Sequence, residues 1–186
     1  MTYGVNVKAV VIQGLSILLL CSLIELGAGF ALKSMKDYIT LLPGLIVMVP
    51  PLLSLRGNIN GALASRLGTA LHMGVIEPKL SLTRELKVNI ISSLLLSLLA
   101  SATIGLLSYT MCILTATKVI GVLNLMAIAL IAGFTSGLIL ATLTIVVAIV
   151  SYEKGLDPDN VTSPTMATIG DFVTVACIFL AVFLVG

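Results

Sequence analysis

The sequence predicts an all-α integral membrane protein with five transmembrane helices per protomer, and three observations carry that prediction. Hydrophobic residues make up 59% of the 186 and charged residues 10%, against about 25% charged in an average soluble domain. Mean hydropathy is +1.20. The few charges fall in short gaps between stretches long enough to cross a hydrocarbon core of ~30 Å, which takes about 20 apolar residues. Ten Lys and Arg with eight Asp and Glu are too few to keep a water-soluble surface of this size dissolved. Net charge +2 without a basic cluster, no Trp and 5% aromatic residues leave nucleic acid neither a charged track nor a stacking platform.

The first span covers residues 9–32 and is interrupted by Glu25. Its flank carries Lys8 alone and Leu20 precedes Cys21, which favours a retained helix over a cleaved signal sequence. The second begins near residue 39, reaches 55 and continues through a polar but helix-compatible stretch to about 71. It contains Pro43, Pro50 and Pro51. Proline removes a backbone donor and clashes with the carbonyl one turn back, so a break at Pro50 and Pro51 is expected. The third span falls between 88 and 117 and the fourth between 119 and 152. The fourth would be roughly 50 Å long as one helix, too short for two spans and a turn, and reads as one tilted or overhanging helix. The fifth covers 163–185 and carries Asp171.

Between the second and third spans, residues 72–89 read as a turn and a short amphipathic helix, with Ser81 or Thr83 as N-cap. Cys21, Cys112 and Cys177 are odd in number and lack C-x-x-C spacing, and read as small buried hydrophobes. Lys8, Arg66, Lys79, Arg84, Lys87 and Lys154 fall on one side of the five spans, Lys33, Lys36 and Lys118 on the other. The bias places the N-terminus in the cytoplasm and the C-terminus outside.

In so apolar a chain the informative residues are those that cost energy. A carboxylate at mid-membrane costs about 2.5–3.5 kcal/mol and normally faces a partner or a water-filled path. Asp171 lies about 12 Å into the fifth span, with Thr168 and Thr174 on the same face; the plainer alternative is a protonated Asp bonded to a neighbouring helix. Glu25 is the second such carboxylate, followed by Gly27 and Gly29, and is either within the membrane or at its outer interface. In the second segment Gly57 and Gly61 permit close packing while Asn58 and Asn60 offer uncharged oxygens; the alternative is a surface turn at Asn60 and Gly61. Asp157, Pro158, Asp159 and Asn160 put acidic groups at the inner mouth of whatever Asp171 lines. His72 has no second His or Cys nearby and reads as a surface residue rather than a metal ligand.

Two stretches resemble the membrane domain of the MgtE and solute carrier 41 divalent-cation transporter family. They run from Arg56, Gly57 and Asn58 to Ala64, Ser65, Arg66 and Leu67, and from Asp157 to Asn160 through Ser163, Pro164, Thr168, Gly170 and Asp171. The resemblance implies a two-fold homodimer with a cation path at the subunit interface, lined by the second and fifth helices. The family's pore aspartate falls on Asp171, its Gly-Asn element on Gly57 and Asn58, and its mouth acid on Asp157. With Thr168 and Glu25 these form the candidate cation set. Bacterial members carry a large cytoplasmic sensor with paired CBS domains, whereas only about eight residues precede the first span here. A single membrane domain over 1–186, without CBS or other soluble sensor, is therefore expected.

Mg²⁺ as the transported ion suits this inventory, since it dehydrates reluctantly and keeps several waters; Mn²⁺, Co²⁺ and Ca²⁺ fit the same oxygens. His and Cys are too few for a soft-metal site. Two other classes compete. A membrane-embedded enzyme would use Gly170 and Asp171 as an intramembrane aspartyl protease does, but position 168 is Thr and Glu25 is the sole other acid in range, so no enzyme is expected. A non-transporting scaffold or accessory subunit would use the polar residues merely to join helices.

Overall fold

The computed structural model describes residues 7–34, 36, 42–79, 83–156 and 158–185, without the side chains at 7–10, 13, 14, 17, 159 and 160. Five helices form among them: α1 Val7–Ser34, α2 Leu45–His72, α3 Arg84–Leu114, α4 Val122–Glu153 and α5 Pro158–Val185. The helix ends follow from local chemistry. Thr83 caps α3, its hydroxyl accepting from the Leu86 N–H at 3.3 Å. The chain enters α3 directly from the turn, so no separate amphipathic helix precedes it among the described residues.

α2, α3 and α4 all stop in the same way. The residue two past the helix adopts positive φ, and its N–H and the next one reach back to carbonyls of the last turn. Gly74 (φ 68) and Gly155 (φ 73) take that place after α2 and α4, where an L side chain would be strained. After α3 the position is Ala116 (φ 51), with Ala116 N–H to Ile113 O at 3.1 Å and Thr117 N–H to Cys112 O at 2.9 Å.

α3 is inside out by the standards of a soluble protein. Its buried residues are Leu86, Ser93, Ser97, Ser101, Gly105, Ser108 and Cys112, while Val88, Ile91, Leu95, Leu99, Leu106 and Leu107 are exposed. Small residues inward and leucines outward are what a helix adopts when its solvent is lipid and its neighbours must come close. α4 packs against α2, α3 and α5; α2 also touches α3 and α5, and α1 lies outside this group against α5.

Two apolar clusters hold the bundle. One joins Leu45, Met48, Val49 and Leu52 of α2 to Leu125, Ile128 and Ala132 of α4 and Val175, Ile178 and Val182 of α5. The other joins Leu63, Leu67 and Leu71 of α2 to Ala141, Ile145 and Ile149 of α4, with Ile76 and Leu86. Between them is a polar waist containing Arg56, Asn60, Ser97, Ser101 and Ser136, all buried.

Two expectations are corrected. Among the described residues three helices, not five, are long and apolar enough to cross a membrane: Arg84–Leu114, Val122–Glu153 and Val161–Val185. α2 falls short because Arg56, Asn58, Asn60, Arg66 and two prolines dilute its apolar content; α1, some of whose side chains lie outside the described set, is not among the three. Nor is α2 broken. It runs through Pro50 and Pro51 without interruption. The prolines stand in its second turn and on its exposed side, so they forfeit just the bonds to the Ile46 and Val47 carbonyls, and the buried side of the helix continues. Three spanning helices make the chain a multi-pass membrane protein.

Candidate functional site

α2 and α5 meet through glycines. A Cβ on Gly61 would lie 3.5 Å from Ser163 Oγ, and one on Gly170 would lie 3.9 Å from both Arg56 Cβ and Asn60 Nδ2. Moving up α2 therefore moves down α5, and the two helices are antiparallel. The residue after Gly170 is Asp171, half-buried, at the level of the Arg56 to Asn60 turn. Among the described residues no cationic side chain reaches ion-pair distance of it.

One turn earlier on α5, Thr168 is buried and its hydroxyl donates to Glu25 Oε1 at 3.2 Å. That bond ties α1 to α5 beside Asp171. Glu25 is otherwise exposed on α1 and shares a shallow groove with Leu19, Ser22, Leu23, Leu26 and Gly29. Three of the candidate residues, Glu25, Thr168 and Asp171, are thus gathered along the contact of α1 with α5.

Gly57 and Asn58 occupy the turn of α2 opposite Gly170, but on its outward side. Asn58 is exposed, and a Cβ added to Gly57 would meet nothing within 4 Å. Their face continues along α2 as Pro51, Ser54, Ala62, Ser65 and Thr69, all exposed. Asp157 lies outside the described residues. Among the described residues no three His, Cys, Asp or Glu side chains converge as a metal cluster. His72 is exposed and meets Tyr152 edge-on, ring centroids 5.5 Å apart.

Sequence reasoning named Arg56 and Asn60 but passed over the α3 serines and α4 glycines that form the waist with them. Arg56 is 0% exposed. Its Nη1 donates to Ser97 Oγ at 2.5 Å and its Nη2 to Gly133 O at 2.9 Å and Ser101 Oγ at 3.3 Å, while Ser97 Oγ donates to Gly133 O at 2.7 Å. The glycines of α4 make the room. A Cβ on Gly133 would collide with Ser101, and one on Gly137 would stand 2.7 Å from Ser97 Oγ and 3.1 Å from Arg56 Nη1. Arg56 Nε and Asn60 Nδ2 are buried without a hydrogen-bond partner among the described residues. The signal was in the sequence: Ser93, Ser97 and Ser101 recur every four residues, as do Gly133 and Gly137, which puts each set on one helix face.

Comparison with known proteins bears on the same region. The family model MgtE, described as a divalent cation transporter, matches residues 49–181, from the start of α2 through most of α5. The chain is 33% identical over 155 residues to solute carrier family 41 member 3 of Mus musculus, covering 80% of this chain and 29% of that protein. It is 30% identical over 181 residues to solute carrier family 41 member 2 of Xenopus laevis, covering 90% and 31%. The human member 2 is 32% identical over 141 residues, covering 70% and 23%. The chain spans 31% or less of the length of these curated relatives. Arg56, Gly57, Asn58, Thr168 and Asp171 all lie within the matched segment and Glu25 lies before it. With most of its length, its polar α2 turn and its α5 carboxylate inside that match, the chain belongs to the MgtE family of divalent cation transporters.

Proposed function

We propose that this chain moves a divalent cation, Mg²⁺ foremost, across the membrane along a path lined by α2 and α5, with Asp171 as its central anionic position. The observation that carries it is Asp171 itself: a half-buried carboxylate on a membrane-spanning helix with no cationic partner among the described residues. Such a group faces an ion or water path by default. The remaining ligands on offer are neutral oxygens, from Asn58, Thr168 and backbone near Gly57, which suits a hard ion that keeps part of its water. Mn²⁺, Co²⁺ and Ca²⁺ compete for the same oxygens. Glu25, joined to Thr168, adds a second acid beside the path, and Asp157 one at its mouth.

A second copy of the chain completes the path. The outward face of α2 carries Pro51, Ser54, Asn58, Ala62 and Ser65, where α3 shows lipid a row of leucines. A face that small and polar is suited to a protein neighbour or to water rather than to acyl chains. Across a two-fold axis it would bring the two Asn58 and Asp171 sets together. Lys79, Arg84 and Lys87 near the α2–α3 turn, with Lys154 after α4, favour a reading with that end in the cytoplasm and the C-terminus outside.

Reconstitution tests the proposal. Purified protein in liposomes admits Mg²⁺ to an internal fluorescent reporter above the rate of empty vesicles, and in cells a cysteine at position 118 is labelled from outside while one at 83 is not. Liposomes that stay as tight as empty ones would leave the chain a scaffold.

A further inference from the structure

The polar waist holds a charge for which the cation path has no evident use. Arg56 is fully buried, and among the described residues its guanidinium bonds only to neutral oxygens and its Nε finds no partner. Among the described residues no carboxylate lies within ion-pair distance. Arg56 precedes Gly57, and its Cβ is 3.9 Å from where a Cβ on Gly170 would stand, one residue from Asp171.

We propose that Arg56 is a specificity-determining fixed charge, which weakens the hold of the Asp171 position on divalent cations so that they leave as readily as they enter. The inference rests on Asp171 being the cation position.

A clamp between helices needs no net charge. A buried guanidinium without an anion pays a large desolvation cost that neutral hydrogen bonds do not fully return, yet Gly133 and Gly137 clear the space that admits it. The bundle therefore accommodates a positive charge at the depth of the pore carboxylate. Two Asp171 carboxylates brought together by a dimer would hold a divalent ion tightly, and conduction requires a site weak enough to release what it binds. The guanidinium reaches from α2 to α3 and α4 rather than toward α5, so more than one helix spacing of ~8–10 Å separates it from Asp171. At ~15 Å, with an effective dielectric of ~20, one fixed charge changes a monovalent ion's affinity about sixfold and a divalent ion's about fortyfold. The position thus acts on affinity and release together, and more strongly on doubly charged ions.

Mg²⁺ influx into liposomes, measured against Mg²⁺ concentration, tests the assignment with Arg56→Met, Arg56→Lys and Ser101→Asp. Arg56→Met strands no opposite charge, and Ser101→Asp neutralises the guanidinium in place, since Ser101 Oγ is 3.3 Å from Nη2. Both should lower the half-saturating concentration by more than about tenfold and lower the maximal rate. Arg56→Lys, which keeps the charge, should restore the half-saturation of the parent. Folded neutral variants with parental half-saturation would overturn the assignment. Failure of both to fold would overturn it too, by making Arg56 part of the scaffold. Asp171→Asn separates the two ideas: if it transports Mg²⁺ normally, the cation position itself is wrong, whereas if it is inactive and the neutral variants are unchanged, only the role of Arg56 falls.

Discussion

Arg56 of α2 meets Gly133 of α4 beside Ser97 and Ser101 of α3, and the meeting depends on an absent side chain. A methyl on Gly133 would be driven into Ser101 and would stand 3.3 Å from Arg56 Nη2. Overpacking of this kind costs typically 1–3 kcal/mol, about that much here. Gly133→Ala should therefore lower the unfolding temperature in detergent, and Ser101→Gly should restore most of the loss by vacating the same space. An unchanged melting curve would mean that α3 and α4 separate at no cost. At this scale the sequence was partly legible. Asp171 and Glu25 were conspicuous because a carboxylate among apolar residues costs energy to place there. Arg56 was not, because its partners come from helices 41 and 77 residues away along the chain and only packing brings them together.

The helices themselves were easier to read than their breaks. α3 and α4 sit within a few residues of their expected limits because charge and Gly mark their ends, and Thr83, one of two caps expected for a short helix, caps α3 itself. Pro50 and Pro51 misled because proline's effect depends on where in the helix it stands. Near the start, and on the exposed side, two lost bonds do not stop α2. The span count misled for a related reason: α2 is helical and packed, but too polar to qualify as a span. The end of α3 offers a clean test of local backbone strain. Ala116 holds φ 51 in a position that α2 and α4 give to glycine. Left-handed backbone costs a residue with a Cβ about 1 kcal/mol, so Ala116→Gly should stabilise the protein by about 0.5–1 kcal/mol, seen as a higher melting temperature. A lower one would mean that the Ala116 methyl makes contacts that outweigh its strain.

As a whole molecule the chain is two apolar clusters with a polar waist between them, wrapped in leucine where it meets lipid and small or polar along one side of α2. The waist lies at the level of Asp171, so the fold sets its most expensive residues at one depth. Most of that depth falls inside the segment matched by the divalent cation transporter family. The central claim is that the Asp171 charge is what draws the divalent ion through. Asp171→Asn preserves shape and one oxygen while removing the charge, from both copies in the proposed dimer. Mg²⁺ flux into liposomes by this variant, at equal amounts of folded protein, should fall at least about tenfold, with its melting temperature near that of the parent. Parental flux through folded Asp171→Asn would contradict the account.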